Sequence, residues 1–295
     1  MMVQSADFRS GKGHRDENFP VGSRLVSARH RPVIMAFYDF ARAADDIADH
    51  PTLPADDKQR GLDRMEASLT GASSDDGLSV RLREALAERG LSPVHALDLL
   101  KAFRQDVIKF RYDDWDELIG YCSYSAMPVG RFVLDVHGED RSTWASSDVV
   151  CAVLQIINHL QDCGKDYRTL NRVYLPQDCL RAHRATTEEL AQSRSSPALL
   201  ACLHELTRRT VDYSGSRPAL ADQIRDTRLA CEVATISALA SKLLGLLQNS
   251  DPLADKVHLS RATLVAVMAG SVAKTLTRRL LPGSASYRRA QDTRS

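Results

Sequence analysis

Apolar residues recur at three- and four-residue spacing through 80–89, 95–110, 118–136, 149–163, 198–212, 228–248 and 260–281, and two-residue alternation is nearly absent. A chain patterned this way buries helix against helix, so the fold class is all-α. Breaks fall at Pro51 to Pro54, at 70–77, at 91–93, near 137–143, around 171–178 and at 249–252. None is long enough to separate one domain from another. We expect one helical domain over 19–281 around a central cavity, with a flexible N-terminus at 1–18 and a flexible basic tail at 282–295. At 43% hydrophobic over 295 residues, the chain has ample material for such a core.

Two segments stand out against this background. Pro32 and Pro51 bracket a helix over 32–50, read as "PVIMAFYDFARAADDIADH". On it Tyr38, Arg42, Asp45 and Asp49 fall within about 60° of arc, with Asp46 beside them, while Val33, Phe37, Phe40, Ala44 and Ile47 cover most of the rest. A solvated helix shows a broad polar face; this one is apolar or small around most of its girth. The pattern returns in "DVVCAVLQIINHLQDCGKD" (148–166), where Gln155, Asn158, Asp162 and Asp166 share about 80° of arc.

Carboxylates grouped on buried helices repel one another and cost several kcal/mol each unless a cation neutralises them, a figure of about that order for any buried ion. Oxygen donors without clustered His or Cys suit Mg²⁺, with Mn²⁺ as a substitute, and Mg²⁺ commonly bridges to a substrate phosphate. Two such helices facing each other would hold a diphosphate between them. A carboxylate-bridged di-iron bundle would need Glu-x-x-His pairs, which this chain lacks.

The totals exclude other classes. Lys and Arg number 39 against 38 acids, which gives no footprint for nucleic acid. Cys122, Cys151, Cys163, Cys179, Cys202 and Cys231 are scattered with no CxxC, and the N-terminal stretch lacks the apolar run of a secretory signal, so we expect a reduced, cytoplasmic protein with core-filling cysteines. No apolar stretch reads as the roughly 18–20 residues of a membrane span. Membrane contact is therefore expected to be peripheral.

Four stretches, "YDFARAADDIAD" (38–49), "YCSYSAMPVG" (121–130), "QIINHLQDCGKD" (155–166) and "RVYLP" (172–176), resemble the squalene/phytoene synthase family in order and spacing. The likeness covers roughly 17–281, and it implies the isoprenoid synthase helical fold. "ENFPVGS" (17–23) and "NHLQDCGKDYRTLNRVYLPQD" (158–178) resemble the branch of that family that converts presqualene diphosphate and water to hydroxysqualene without NAD(P)H. Gln161 stands where most members carry Arg, and Lys165 where an acid often precedes the last Asp. Both changes argue against the phytoene and reductive squalene synthases, which together with presqualene diphosphate synthesis form the alternative reading. A non-catalytic assembly protein or a lipid carrier would be a different class; neither explains two intact aspartate motifs.

The resemblance implies roles for particular residues. Asp45, Asp49, Asp162 and Asp166 would carry Mg²⁺, with Asp46 and Asn158 as further ligands. Ser23, Arg42, Gln155, Asn158 and Tyr38 would contact the diphosphate or substrate. Tyr121 would sit by the reacting carbons, and Tyr124 and Tyr174 near the substrate. Helical tyrosines often serve packing, Arg42 could instead pair internally with the aspartates, and His159 borders the acidic stripe as either a core histidine or a substrate contact. Pro128 and Gly130 allow a kink with close approach. The partners implied are a prenyl diphosphate, the inner face of a membrane, and the enzyme that supplies presqualene diphosphate.

Overall fold

Pro32 sits in the first turn of α1 (Arg31–Ala48), and the chain leaves the helix at Asp49, two residues before Pro51. This is the helix expected over 32–50, displaced by one to two residues at its ends. The computed structural model describes residues 27–280. The flexible ends expected at 1–18 and 282–295, and Ser23, lie outside them.

The order continues with α2 (Ala55–Thr70), α3 (Gly77–Ala87), α4 (Val94–Ile108), α5 (Trp115–Ser125), α6 (Met127–His137), α7 (Trp144–Leu170), α8 (Gln177–Ala182), α9 (Pro197–Ser214), α10 (Leu220–Gln223), α11 (Thr227–Leu247) and α12 (Arg261–Leu280). Among the described residues there is no strand, only one isolated bridge between Arg111 and Val173. Side-chain caps start several helices where the sequence offers an acid or hydroxyl: Asp76 accepts from Ser79 N–H, Asp114 from Glu117 N–H, and Asp226 from Arg228 and Leu229 N–H. Helix α2 has only a faint periodic signal in the sequence because its apolar residues are few, Leu62, Met65 and Leu69 making its buried stripe.

Two apolar clusters flank α1 and α7. One joins α1 to α2, α3, α4 and α6, with Phe37 stacked on Phe132 at 3.9 Å between ring centres. Fully buried Phe40 alone contributes about 1.5–3 kcal/mol there. The other cluster wraps α7 with α5, α8, α9 and α11. α7 is thus covered on most sides, as its narrow polar stripe requires.

The segment expected as one helix over 118–136 is two. The chain breaks at Ala126, with Pro128 in the first turn of α6, so the kink is a full helix end. Gly130 then lies against α7: a Cβ there would press on Ser147 Oγ and come within 2.5 Å of Cys151 Sγ. We expect Gly130→Ala to lower unfolding stability by about 1–3 kcal/mol, read from a thermal melt.

α11 corrects one expectation. By length and composition it is apolar enough to cross a membrane, although half of that window is buried in this fold. Its contacts run to α7, α9, α10 and α12. A core helix of this length and a spanning helix share the same composition.

Candidate active site

α1 and α7 turn their acidic stripes toward one cavity of about 300 Å³. From α1 come Tyr38, Arg42 and Asp45, with Asp49 at its C-cap, and from α7 Gln155, His159 and Asp166. Helices α4 and α5 add Asp106 and Tyr121, and the loop after α7 adds Arg172 and Tyr174. Of the residues expected from sequence, Tyr38, Arg42, Asp45, Asp49, Tyr121, Gln155, Asp166 and Tyr174 thus meet at one site.

Others are placed differently. Asp46 is buried and accepts from Arg42 Nη2 at 3.0 Å, so it steadies the guanidinium and does not line the cavity. Asn158 and Asp162 also stand outside the lining. Around α7 the cavity is centred between His159 and Asp166, which leaves Asn158 and Asp162 rotated about 40–100° toward its edge. Asp162 has a side chain 54% exposed, with Lys165 Nζ at 3.8 Å, yet it stays close enough to raise the proton affinity of Asp166. Tyr124, one turn beyond Tyr121, points out of the bundle: it is 41% exposed and lies under Lys101 Nζ at 5.3 Å from the ring centre. Gln161, the departure from the family pattern, donates to the Val257 carbonyl at 2.6 Å and so ties α7 to the segment before α12.

Arg42 makes the internal pairs that its stripe allowed, donating to Asp45 at 2.7 Å while still lining the cavity. The larger surprise is Arg172. Its side chain is 7% exposed, pairs with Asp49 through Nη1, and donates from Nη2 to the Asp106 backbone carbonyl at 3.0 Å. Asp106 in turn accepts from the Tyr121 hydroxyl at 2.9 Å. Sequence reasoning passed over both residues. Asp106 was legible as a lone acid on the apolar face of 95–110, and Arg172 as the first residue of "RVYLP".

The loop holds them by local geometry. Asn171 ends α7 in the left-handed region at φ 52°, and Val173 N–H donates to the Phe110 carbonyl at 2.9 Å. The extended backbone then alternates: Arg172 and Tyr174 face the cavity while Val173 and Leu175 enter the core. Tyr174 stacks on His159 with ring centres 3.5 Å apart. Burial, then the charge of Arg172, pushes the His159 imidazole down to about 3, so it is neutral across physiological pH.

The carboxylates outnumber the two arginines that pair with them. Asp45 is pushed up to about 7 by burial and then by Asp49, against the pull of Arg42. Asp45 lines the cavity with its side chain 34% exposed. Asp106 rises to about 7 through burial, and Asp166 to about 7 through burial and then Asp162. Among the described residues no three of these acids converge within 4.8 Å. Such an open oxygen set suits an ion held by one or two carboxylates that keeps its waters and meets a phosphate.

A pH dependence follows. Groups that bind protons more tightly folded than unfolded place extra protons on the native state, so their contribution to stability falls as pH rises from about 3.9 to 7. In metal-free buffer we expect Tm to fall between about pH 4 and 7, the three raised carboxylates outweighing His159 and His30, whose lowered proton affinities act in the opposite sense, and added Mg²⁺ to restore it most at the alkaline end. Scanning calorimetry with and without the ion checks both; a Tm independent of Mg²⁺ at pH 8 would count against this site.

An all-helical bundle in which the carboxylates of two long helices face across a cavity, with Arg42 and Arg172 beside them, is an isoprenoid synthase fold. More narrowly, the chain belongs to the squalene/phytoene synthase family, whose family model matches residues 13–263. It is 55% identical to the hydroxysqualene synthase of Rhodopseudomonas palustris over 94% of this chain and 95% of that protein. To the hydroxysqualene synthase of Zymomonas mobilis it is 47% identical over 88% of each. The crystal structure of squalene synthase HpnC from Alicyclobacillus acidocaldarius superposes with a TM-score of 0.68 at 30% identity, over 81% of this chain and 89% of that one.

Proposed function

We propose that the chain is a hydroxysqualene synthase, converting presqualene diphosphate and water to hydroxysqualene and diphosphate. The observation that carries the reading is the 55% identity to a hydroxysqualene synthase over 94% of the chain, with Asp45, Asp49, Asp166 and Arg172 gathered on one cavity. In this reading Asp45, Asp49 and Asp166 hold Mg²⁺, with Asp162 at the rim. When bound, such an ion supplies electrophilic assistance to loss of the diphosphate. Arg42 and Arg172 add positive charge beside it.

The C–O bond to diphosphate breaks with its electron pair, leaving a carbocation; water adds through oxygen and then releases a proton to solvent or diphosphate. No hydride donor enters that balance, so NAD(P)H is not required. Tyr121 and Tyr174 line the cavity beside the cation, their hydroxyls kept protonated by burial. Across Tyr38 and Ala41 the polar cavity adjoins an apolar one of about 290 Å³, lined by Phe37, Val129, Leu154 and Ile236, which suits prenyl chain. An apolar product fits a cytoplasmic enzyme working at the inner membrane face beside the source of its substrate.

Presqualene diphosphate supplied with Mg²⁺ in heavy-oxygen water tests this. We expect hydroxysqualene carrying the heavy oxygen, without nicotinamide, by mass spectrometry. A hydrocarbon product that requires a nicotinamide, or turnover confined to farnesyl diphosphate, would overturn it.

A further inference from the structure

Outside the lining of the polar cavity, α8 and α9 bring Cys179, His183 and Glu205 together, with Cys202 against Cys179. Cys179 and His183 lie four residues apart at the end of α8, and Cys202 and Glu205 three apart on α9, so each helix offers one face. Cys179 Sγ, a His183 ring nitrogen and a Glu205 carboxylate oxygen all lie within 4.8 Å of one another. Cys202 Sγ donates to Cys179 Sγ at 3.1 Å, and His183 Nε2 meets Glu205 Oε2 at 2.7 Å. The other Glu205 oxygen accepts from Arg209 at 2.8 Å.

We propose that Cys179, Cys202, His183 and Glu205 form a binding site for a thiophilic divalent cation of the zinc class, which staples α8 to α9. Two sulfurs, one imidazole and one carboxylate are the donor set of a closed tetrahedral site, unlike the oxygen-only set of the polar cavity. Three donors, from Cys179, His183 and Glu205, already converge, and Cys202 Sγ lies against Cys179 Sγ outside that group; Zn–S bonds of about 2.3 Å place two sulfurs roughly 3.8 Å apart, so Cys202 must move off Cys179 by a fraction of an ångström and turn toward the ion to complete the tetrahedron. The thiols are buried while the His183 and Glu205 side chains are 25% and 22% exposed, which gives an ion a path from solvent. Arg209 offsets the excess negative charge of two thiolates and a carboxylate. The hydrogen bond between the thiols lowers the proton affinity of Cys179 and raises that of Cys202, so the pair offers one thiolate readily and the second only against the ion. Binding would release to solvent both thiol protons and any proton held between His183 and Glu205. Because α8 follows directly on the loop bearing Arg172 and Tyr174, the staple would anchor that loop from behind.

The test uses the full chain, reduced and stripped with chelator, titrated with Co²⁺ alone. Wild type is expected to take up about one Co²⁺ at a tetrahedral thiolate site, giving a thiolate-to-cobalt charge-transfer band that Zn²⁺ then abolishes. Cys179→Ser should lose the band, His183→Asn at the rim should weaken it with a normal helical spectrum, and Asp45→Asn should keep it. Zn²⁺ should also protect two thiols from alkylation in wild type. Absence of the band in wild type, or its persistence in both Cys179→Ser and His183→Asn, would overturn the proposal. So would a reduced chain that ignores Zn²⁺ but forms a Cys179–Cys202 disulfide on mild oxidation.

Discussion

Asp45→Asn is expected to raise Tm in metal-free buffer at pH 8 and at the same time to lower turnover about 1,000-fold, the scale of losing one preorganised electrostatic group from a low-dielectric site. Both effects come from one cause. Asp45 sits beside Asp49, with Asp106 and Asp46 also raising its proton affinity, so ionising it costs stability until a cation arrives. Asparagine keeps the shape and removes the charge. Arg42, which spans Asp45 and Asp46, retains its second partner at 3.0 Å, so the helix pairing survives. The variant should also lose much of the Mg²⁺-dependent gain in Tm. Turnover near wild type, or an unchanged response to Mg²⁺, would remove Asp45 from the metal-holding set.

Arg172→Met is expected to cost about 1–3 kcal/mol, the scale of losing a charged hydrogen-bond donor, because the Asp49 side chain left behind is 36% exposed and partly solvated. For a domain of this size that is a fall in Tm of roughly 5 °C. The guanidinium touches both Asp49 at the end of α1 and the Asp106 carbonyl on α4 while belonging to the loop after α7. Methionine fills some of the volume but leaves Asp49 and Asp106 without the cation beside them, and turnover should fall with stability. Arg172→Lys separates charge from geometry: an ammonium keeps the charge but lacks the fork that reaches both helices, so it should recover only a fraction of the loss. Equal stability of the Met variant and wild type, by calorimetry at neutral pH, would refute the tethering role.

The acidic stripes of 38–49 and 155–166 were legible because helical periodicity is a local property, and a narrow polar arc on an apolar helix implies a buried site whatever packs around it. The same arithmetic could not set the rotation of α7 in the bundle. Within one stripe, Asp166 lines the cavity and Asp162 stands at its rim, a difference of about 40° that only neighbouring helices impose. Tyr121 and Tyr124 were equally good candidates by residue type, yet one donates to Asp106 and the other lies beneath Lys101 at the surface.

By itself, then, the sequence determined the helical class, the break at Pro51, the two carboxylate helices and the family, since each rests on spacing within a short window or on ordered motifs. Tertiary structure alone decided that Asp106 and Arg172, 66 positions apart along the chain, complete the cavity. It also brought Cys179 and Cys202 to 3.1 Å across 23 positions. Contacts of that range depend on where helices cross, which is set by the packing of the whole core and is written in no single segment.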